Sequence, residues 1–222
     1  MATASGPTSE RVSWSSRILS TGLGLLVVAL VLMWAIEVVD TVILDDELQT
    51  NGIAPRQLEG LDGIVWAPFL HSTFAHLISN SIPFLALGFL VSIRGYRYWI
   101  LVTLMVMVGG GALTWLFGGS GNHIGASGVV FGYFGALMGA AFYDRRPRAI
   151  APALIAILFY SGIVVGMVPR QGISWEGHLF GLVIGVLAAR ALVRSARPLT
   201  PRGSSDGSKP YPWELDEPWL EP

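Results

Sequence analysis

Apolar residues fall into six blocks separated by short polar punctuation. The blocks run over about 18–39, 76–93, 98–118, 127–143, 149–168 and 175–193. Around 20 apolar residues suffice to cross a bilayer as a helix. The pattern therefore predicts an all-α polytopic membrane protein with six transmembrane helices. The fourth block is the short one. About 17 residues at ~1.5 Å each give roughly 25 Å, less than the ~30 Å hydrocarbon core. If it is anchored at the Asp144, Arg145, Arg146 end, Ser127 lies submerged at its N-terminus.

The flanks divide the chain. Residues 1–16 are polar and rich in Ser, Thr and Gly, the composition of a disordered segment. Arg11 and Arg17 before the first block resemble a signal peptide. However, the block is long enough to span, no small-x-small site follows it, and Glu37 and Asp40 do, so it reads as a retained span. The six-helix domain then covers 17–195. A long loop over about 40–75 carries Trp66, Phe69 and Leu70 among polar residues and reads as partly interfacial; loops of this length are often functional. Residues 196–222 hold six prolines and the acids Glu214, Asp216, Glu217 and Glu221. They read as a disordered tail, with a short recognition element at Trp213 and Trp219 as the alternative.

Charge sets the orientation. Arg11, Arg17, Arg94, Arg97, Arg145, Arg146, Arg148, Arg190, Arg194, Arg197, Arg202 and Lys209 fall on one side of the predicted membrane, Arg56 and Arg170 on the other. By the positive-inside rule both termini are cytoplasmic, and Ser127 and His178 lie toward the outer face. Composition agrees with the membrane reading: charged residues make up 13% of the chain, about half the ordinary soluble share, and mean hydropathy is +0.57. With no cysteine, disulfides and thiolate chemistry are excluded. No strongly basic domain favours nucleic acid as a partner.

Against this background a few polar positions stand out, because polar groups are costly in hydrocarbon and are functional suspects there. Ser127 lies in Gly125-Ala126-Ser127-Gly128. A serine at a helix N-terminus has free N–H groups and the positive dipole end beside it, which suits an oxyanion; the same position also suits a plain N-cap. His178 follows Gly177, and Gly177, Gly181 and Gly185 form a small-residue face. The fourth block offers Gly128, Gly132, Ala136 and Ala140 at the same spacing. If these faces meet, Ser127 and His178 become neighbours, and a neutral histidine can accept the serine proton. His178 alone also reads as an interhelical hydrogen bond.

His76 and Asn80 share one helix face at i, i+4, and both can donate to an oxyanion. With His71 they raise a metal site as a rival, but no His-Glu-x-x-His is present and only Glu176 is an acid near the histidines. His123 reads as a loop residue that gates or bonds locally. Glu59, Asp62 and Glu176 are the acids that could orient His178; a Ser-His dyad held by packing is simpler.

Taken together, His71-x4-His76-x3-Asn80, Gly125-x-Ser127-Gly128 and Gly177-His178 with Gly181 and Gly185 resemble the rhomboid family of intramembrane serine proteases. The likeness spans about 61–189, and the 60–87 phrase with Ala67-Pro68-Phe69-Leu70-His71 looks like the actinobacterial type. The resemblance implies a rhomboid-like bundle in a bacterial plasma membrane. It implies Ser127 as nucleophile and His178 as base, with His76, Asn80 and the Ser127 N–H as the oxyanion hole. It implies no cofactor or metal, and substrates that are single-span membrane proteins cut in or beside the span. Two features depart from the family. Phe131 stands where many members carry a tyrosine that stacks on the histidine, and Trp66 is followed by Ala67 rather than arginine. Two rivals remain: an inactive rhomboid-like protein that binds membrane clients, and a small transporter or channel. The latter would want more polar lining and repeat symmetry. Oligomeric state is not legible.

Overall fold

The computed structural model of the chain describes residues 8–170 and 172–195, with side chains over 21–170 and 172–193. Among these, six long helical rods follow the six apolar blocks. They are α1 (Thr8–Ile43), α2 (Phe74–Ser92), α3 (Tyr96–Phe117), α4 (Ser127–Asp144), α5 (Pro147–Tyr160, continued as 3-10 turns over Ser161–Met167) and α6 (Trp175–Ser195). The only β pairing among the described residues is one antiparallel bridge, Ile53 with His123. Five stretches are long and apolar enough to cross a membrane: Thr21–Ile43, Phe74–Ser92, Tyr96–Phe117, Pro147–Met167 and Trp175–Val193. The protein is thus a helical membrane protein.

The sixth rod, α4, has 18 residues and falls outside those five. It is also the most enclosed helix, buried without a break from Val129 to Leu137. Such all-round burial marks the centre of a bundle. The core forms on it: Tyr133, Val130 and Leu137 meet Leu26 of α1, Leu77 and Leu87 of α2, and Val102 of α3. The Tyr133 hydroxyl shares a 2.9 Å hydrogen bond with Thr103 Oγ1, joining α3 to α4 at depth.

Three element boundaries differ from the sequence expectation. The first helix begins at Thr8, inside the stretch expected to be disordered to residue 16. Once nucleated in the apolar block, a helix gains about one hydrogen bond per added residue. No proline interrupts it back to Pro7. At its other end Leu44 N–H still reaches the Asp40 carbonyl, so α1 runs past Val39. Helix α2 starts at Phe74 because the Thr73 hydroxyl accepts from His76 N–H at 3.1 Å, an N-cap one turn ahead of the apolar run. The third rod contains a π turn over Val106–Gly110. Residues 1–7 and the tail from 196, including Trp213 and Trp219, lie outside the described residues.

Helices α4 and α6 make the closest pair in the fold. The contact is backbone on backbone. A Cβ on Gly181 would run into the Gly128 carbonyl, one on Gly185 into the Gly132 carbonyl, and one on Gly135 into the Leu182 carbonyl. Small residues permit this approach where lipid gives no hydrophobic drive for association. At the end of the bundle away from Ser127, Arg94 binds Asp144 at 2.9 Å, with Arg146 and Arg148 at 3.5 and 3.9 Å. That cluster ties the α2–α3 turn to the α4–α5 turn.

Candidate active site

The glycine seam delivers two side chains to one point. Ser127 opens α4 and His178 sits in the first turn of α6; Ser127 Oγ is 2.8 Å from His178 Nε2. The other ring nitrogen, Nδ1, is 2.7 Å from the Gly166 carbonyl. A carbonyl only accepts, so Nδ1 carries the proton and Nε2 is free to accept from the serine hydroxyl. Phe131, one turn beyond the serine, stacks on the imidazole at 4.2 Å with an 8° interplanar angle. The ring is thereby held on one face by Phe131 and along its edge by Gly166.

The orienting group is the one that sequence reasoning misses. Glu59 and Asp62 lie exposed in the loop between α1 and α2, and Glu176 Oε1 accepts from Gly119 N–H at 3.1 Å. Among the described residues no carboxylate is hydrogen-bonded to the His178 ring. A main-chain carbonyl from the 3-10 turns does that work, and no residue type marks it in the sequence.

His76 and Asn80 sit across from the Ser127–His178 pair. Their side chains face the backbone of Gly125: a Cβ there would lie 2.8 Å from His76 Nε2 and 3.4 Å from Asn80 Nδ2. Gly125 has φ +109°, a conformation that also favours glycine. Ser72 N–H reaches His76 Nδ1 at 3.5 Å, which makes Nδ1 the acceptor and leaves Nε2–H to donate toward Gly125. Asn80 Nδ2 is buried and has no hydrogen-bond partner among the described residues. A buried unpaired donor is costly, and an oxyanion forming beside Gly125 would satisfy it.

His71 supports this wall from behind. It is 2% exposed and accepts from Ala126 N–H at 3.4 Å, so it fixes the residue before Ser127. Burial first, and the neighbouring His76 second, push His71 down to about 4. It is therefore a neutral acceptor at physiological pH. Gly125 N–H in turn donates to the Ala67 carbonyl at 2.8 Å. Gly128 meets Gly177 along the seam, where a Cβ on Gly128 would lie 3.5 Å from the Gly177 carbonyl oxygen.

The loop over about 40–75 is anchored rather than loose. Asp40 accepts from Leu48 N–H and Gln49 N–H at 2.7 and 3.1 Å. Arg56 Nη1 donates to the Gly118 carbonyl at 2.8 Å, capping the end of α3, and Trp115 Nε1 donates to the Gln57 carbonyl at 2.8 Å. Arg56 is thus the arginine of this loop, ten residues ahead of Trp66. The site opens into a cavity of about 50 Å³ lined by Ile64, Met107, Thr114, Ser127, Gly128 and His178. Among the described residues no group of three or more His, Asp or Glu could hold a metal ion.

Comparison with known proteins agrees with this architecture. The Rhomboid domain model matches residues 59–195. An uncharacterised protein of Mycobacterium tuberculosis is 37% identical over 189 residues, covering 79% of this chain and 78% of its own length. One from Mycobacterium leprae is 37% identical over 171 residues, covering 72% and 67%. Rhomboid-like protease 5 of Toxoplasma gondii is 28% identical over 163 residues, 67% of this chain but 18% of that longer protein. With a domain model matching well over half of its length and membrane helices arranged around a glycine seam, the chain belongs to the rhomboid family.

Proposed function

We propose that the protein is an intramembrane serine endopeptidase acting through a Ser127–His178 dyad. The observation that carries this reading is the 2.8 Å contact between Ser127 Oγ and a histidine nitrogen whose ring partner, Gly166 O, leaves it unprotonated. In the reaction Ser127 Oγ attacks the scissile carbonyl carbon while its proton passes to Nε2. The oxyanion accepts from His76 Nε2–H, Asn80 Nδ2–H and the Ser127 backbone N–H. As the C–N bond breaks, the Nε2 proton moves to the leaving amine. Water then attacks the acyl-serine, giving one proton to Nε2; as the C–Oγ bond breaks, that proton returns to Ser127 Oγ and the acid is released. No metal or cofactor enters these steps.

The substrates are single-span membrane proteins in the surrounding bilayer. A spanning helix already hydrogen-bonds its own amides, so cleavage falls at a helix end or where the helix unwinds. The twelve-to-two bias of basic residues supports an orientation with the Arg94–Asp144 end and both termini on the cytoplasmic side and the dyad toward the outer face, in a membrane we take to be a bacterial plasma membrane.

The test is labelling of detergent-purified protein with a fluorophosphonate, beside Ser127→Ala and His178→Ala, followed by cleavage of a single-span substrate. Wild-type labelling that is lost in both variants supports the reading. A well-folded wild type that neither labels nor cleaves overturns it in favour of a membrane client-binding role.

A further inference from the structure

The seam fixes α4 and α6 laterally, but both dyad atoms sit in first turns. Ser127 is the first residue of α4 and His178 the fourth of α6. First turns lack half of their intrahelical hydrogen bonds and are the parts of a helix most free to shift. Something must hold those ends together to keep a 2.8 Å contact.

A closed set of hydrogen bonds does so on the rim above the dyad. His123, four residues before Ser127, has Nδ1 2.5 Å from Ser174 Oγ, and Ser174 lies four residues before His178. The Ser174 carbonyl accepts from His178 N–H at 3.1 Å. The other nitrogen of His123, Nε2, is 3.0 Å from the Gly119 carbonyl. That carbonyl only accepts, so Nε2 carries the proton and the Ser174 hydroxyl donates to Nδ1. The Gly119 N–H donates to Glu176 Oε1, which returns the chain of bonds to α6. His123 is itself pinned to the outer loop through paired 3.0 Å main-chain bonds with Ile53. Among the described residues, the hydrogen bonds of Ser127 Oγ and of the His178 ring go to each other and to the Gly166 carbonyl, not to these groups.

We infer that His123 and Ser174 are positioning residues: their hydrogen bond clamps the segment leading into Ser127 to the segment leading into His178 and sets the dyad distance. This rests on the dyad reading above. A displacement of about 1 Å in a reacting pair can cost about a hundredfold in rate, so a modest relaxation of the rim has a large effect.

The test uses the full-length protein in detergent. The rate of fluorophosphonate labelling is measured for wild type, His123→Ala, Ser174→Ala, the double variant, the conservative His123→Gln and the neighbouring loop variant Asn122→Ala. Each alanine variant is expected to label about tenfold or more slowly. The double variant should be no slower than the worse single, as for two halves of one contact. Glutamine, which keeps a donor and an acceptor, should restore most of the rate. Asn122→Ala, which loses only a bond to the Gln49 carbonyl, should leave the rate unchanged. A second readout does not depend on activity. In protein labelled with nitrogen-15 histidine, the His178 Nε2 resonance is identified by its change in Ser127→Ala. Ser174→Ala and His123→Ala should move it toward its Ser127→Ala position.

Unchanged labelling, multiplying single effects, or an unmoved Nε2 resonance overturns the clamp. A folded wild type that fails to label yet shows the resonance moving in both variants breaks the peptidase reading and leaves the clamp standing.

Discussion

The α4–α6 seam and the α5 rod solve opposite problems. In the seam, glycines let carbonyls rest against a neighbouring backbone, and a Cβ at Gly181, Gly185 or Gly135 would displace a helix. Along α5 the outward side chains Leu154, Ile155, Leu158 and Phe159 are exposed to the hydrocarbon, and the 3-10 turns that follow bury no residue. Yet the imidazole takes support from both. Phe131 reaches it from the tight pair, and the Gly166 carbonyl reaches it from the lightly packed turns. Position comes from the dense half of the molecule and tautomer from the sparse half. Ser127 should therefore tolerate little change in its scaffold, while His178 depends on a segment with few contacts.

This contrast can be broken most severely at the seam. Gly181→Leu forces a side chain into the Gly128 carbonyl and should lower thermal stability in detergent by about 3 kcal/mol, with labelling lost. Leu158→Ala on the lipid side should change stability by less than about 0.5 kcal/mol. Equal losses at the two sites would dissolve the distinction. Next comes Gly125→Ala, which meets His76 and must adopt a positive φ. It should remain folded and lose roughly a hundredfold in cleavage rate, because the donors move away from the forming oxyanion.

A smaller effect is expected at the sparse half. In Gly166→Ala the new Cβ would lie 3.0 Å from Phe131 Cζ and 3.3 Å from His178 Nδ1. Turnover should fall roughly tenfold with little change in melting temperature, since those turns bury no side chain. A large stability loss there would show that the turns carry more of the fold than their exposure suggests.

The mildest effect is in pH dependence. His71 titrates near 6.5 when unfolded and is held at about 4 when folded. Between those values the unfolded chain binds more protons, so stability falls as pH drops below 6.5 and levels off below 4. From pH 6.5 to 5.5 the loss is on the order of 1 kcal/mol. Melting curves for His71→Gln should be flatter across that window, and curves parallel to wild type would refute the assignment.

Much of the fold is legible before any coordinates, because transmembrane helices announce themselves by composition alone. Ser127 and His178 are legible as a pair for a related reason. Glycines repeating every fourth residue on two separate blocks imply a close seam, and each candidate stands at the same end of one. His76 and Asn80 are readable from i, i+4 spacing. What the sequence leaves hidden is made of main chain. The Gly166 carbonyl orients the His178 ring, yet every residue has a carbonyl. The hydrogen bonds of Asp40, Arg56 and Trp115 depend on how a thirty-odd-residue loop folds back, which periodicity does not govern. The start of α1 at Thr8 is hidden because polar residues between Pro7 and the first block fit a disordered segment and a helical extension equally well.

The π turn at Val106–Gly110 has a consequence for how this chain can change length. Within it Val106 fills the space beside Gly132 and Gly110 lies against Gly181; just beyond it Gly111 lies against Ile64. One rod thus serves two sets of neighbours by carrying an extra residue in a widened turn. Removing one residue there would restore ordinary helical hydrogen bonding throughout. The same deletion would rotate everything beyond it by about 100°. Trp115 would turn away from Gln57 and Arg56, and the outer loop would lose its moorings. The local backbone would become more regular and the protein less complete, so indels in this helix are screened by the orientation of distant side chains rather than by helix formation itself.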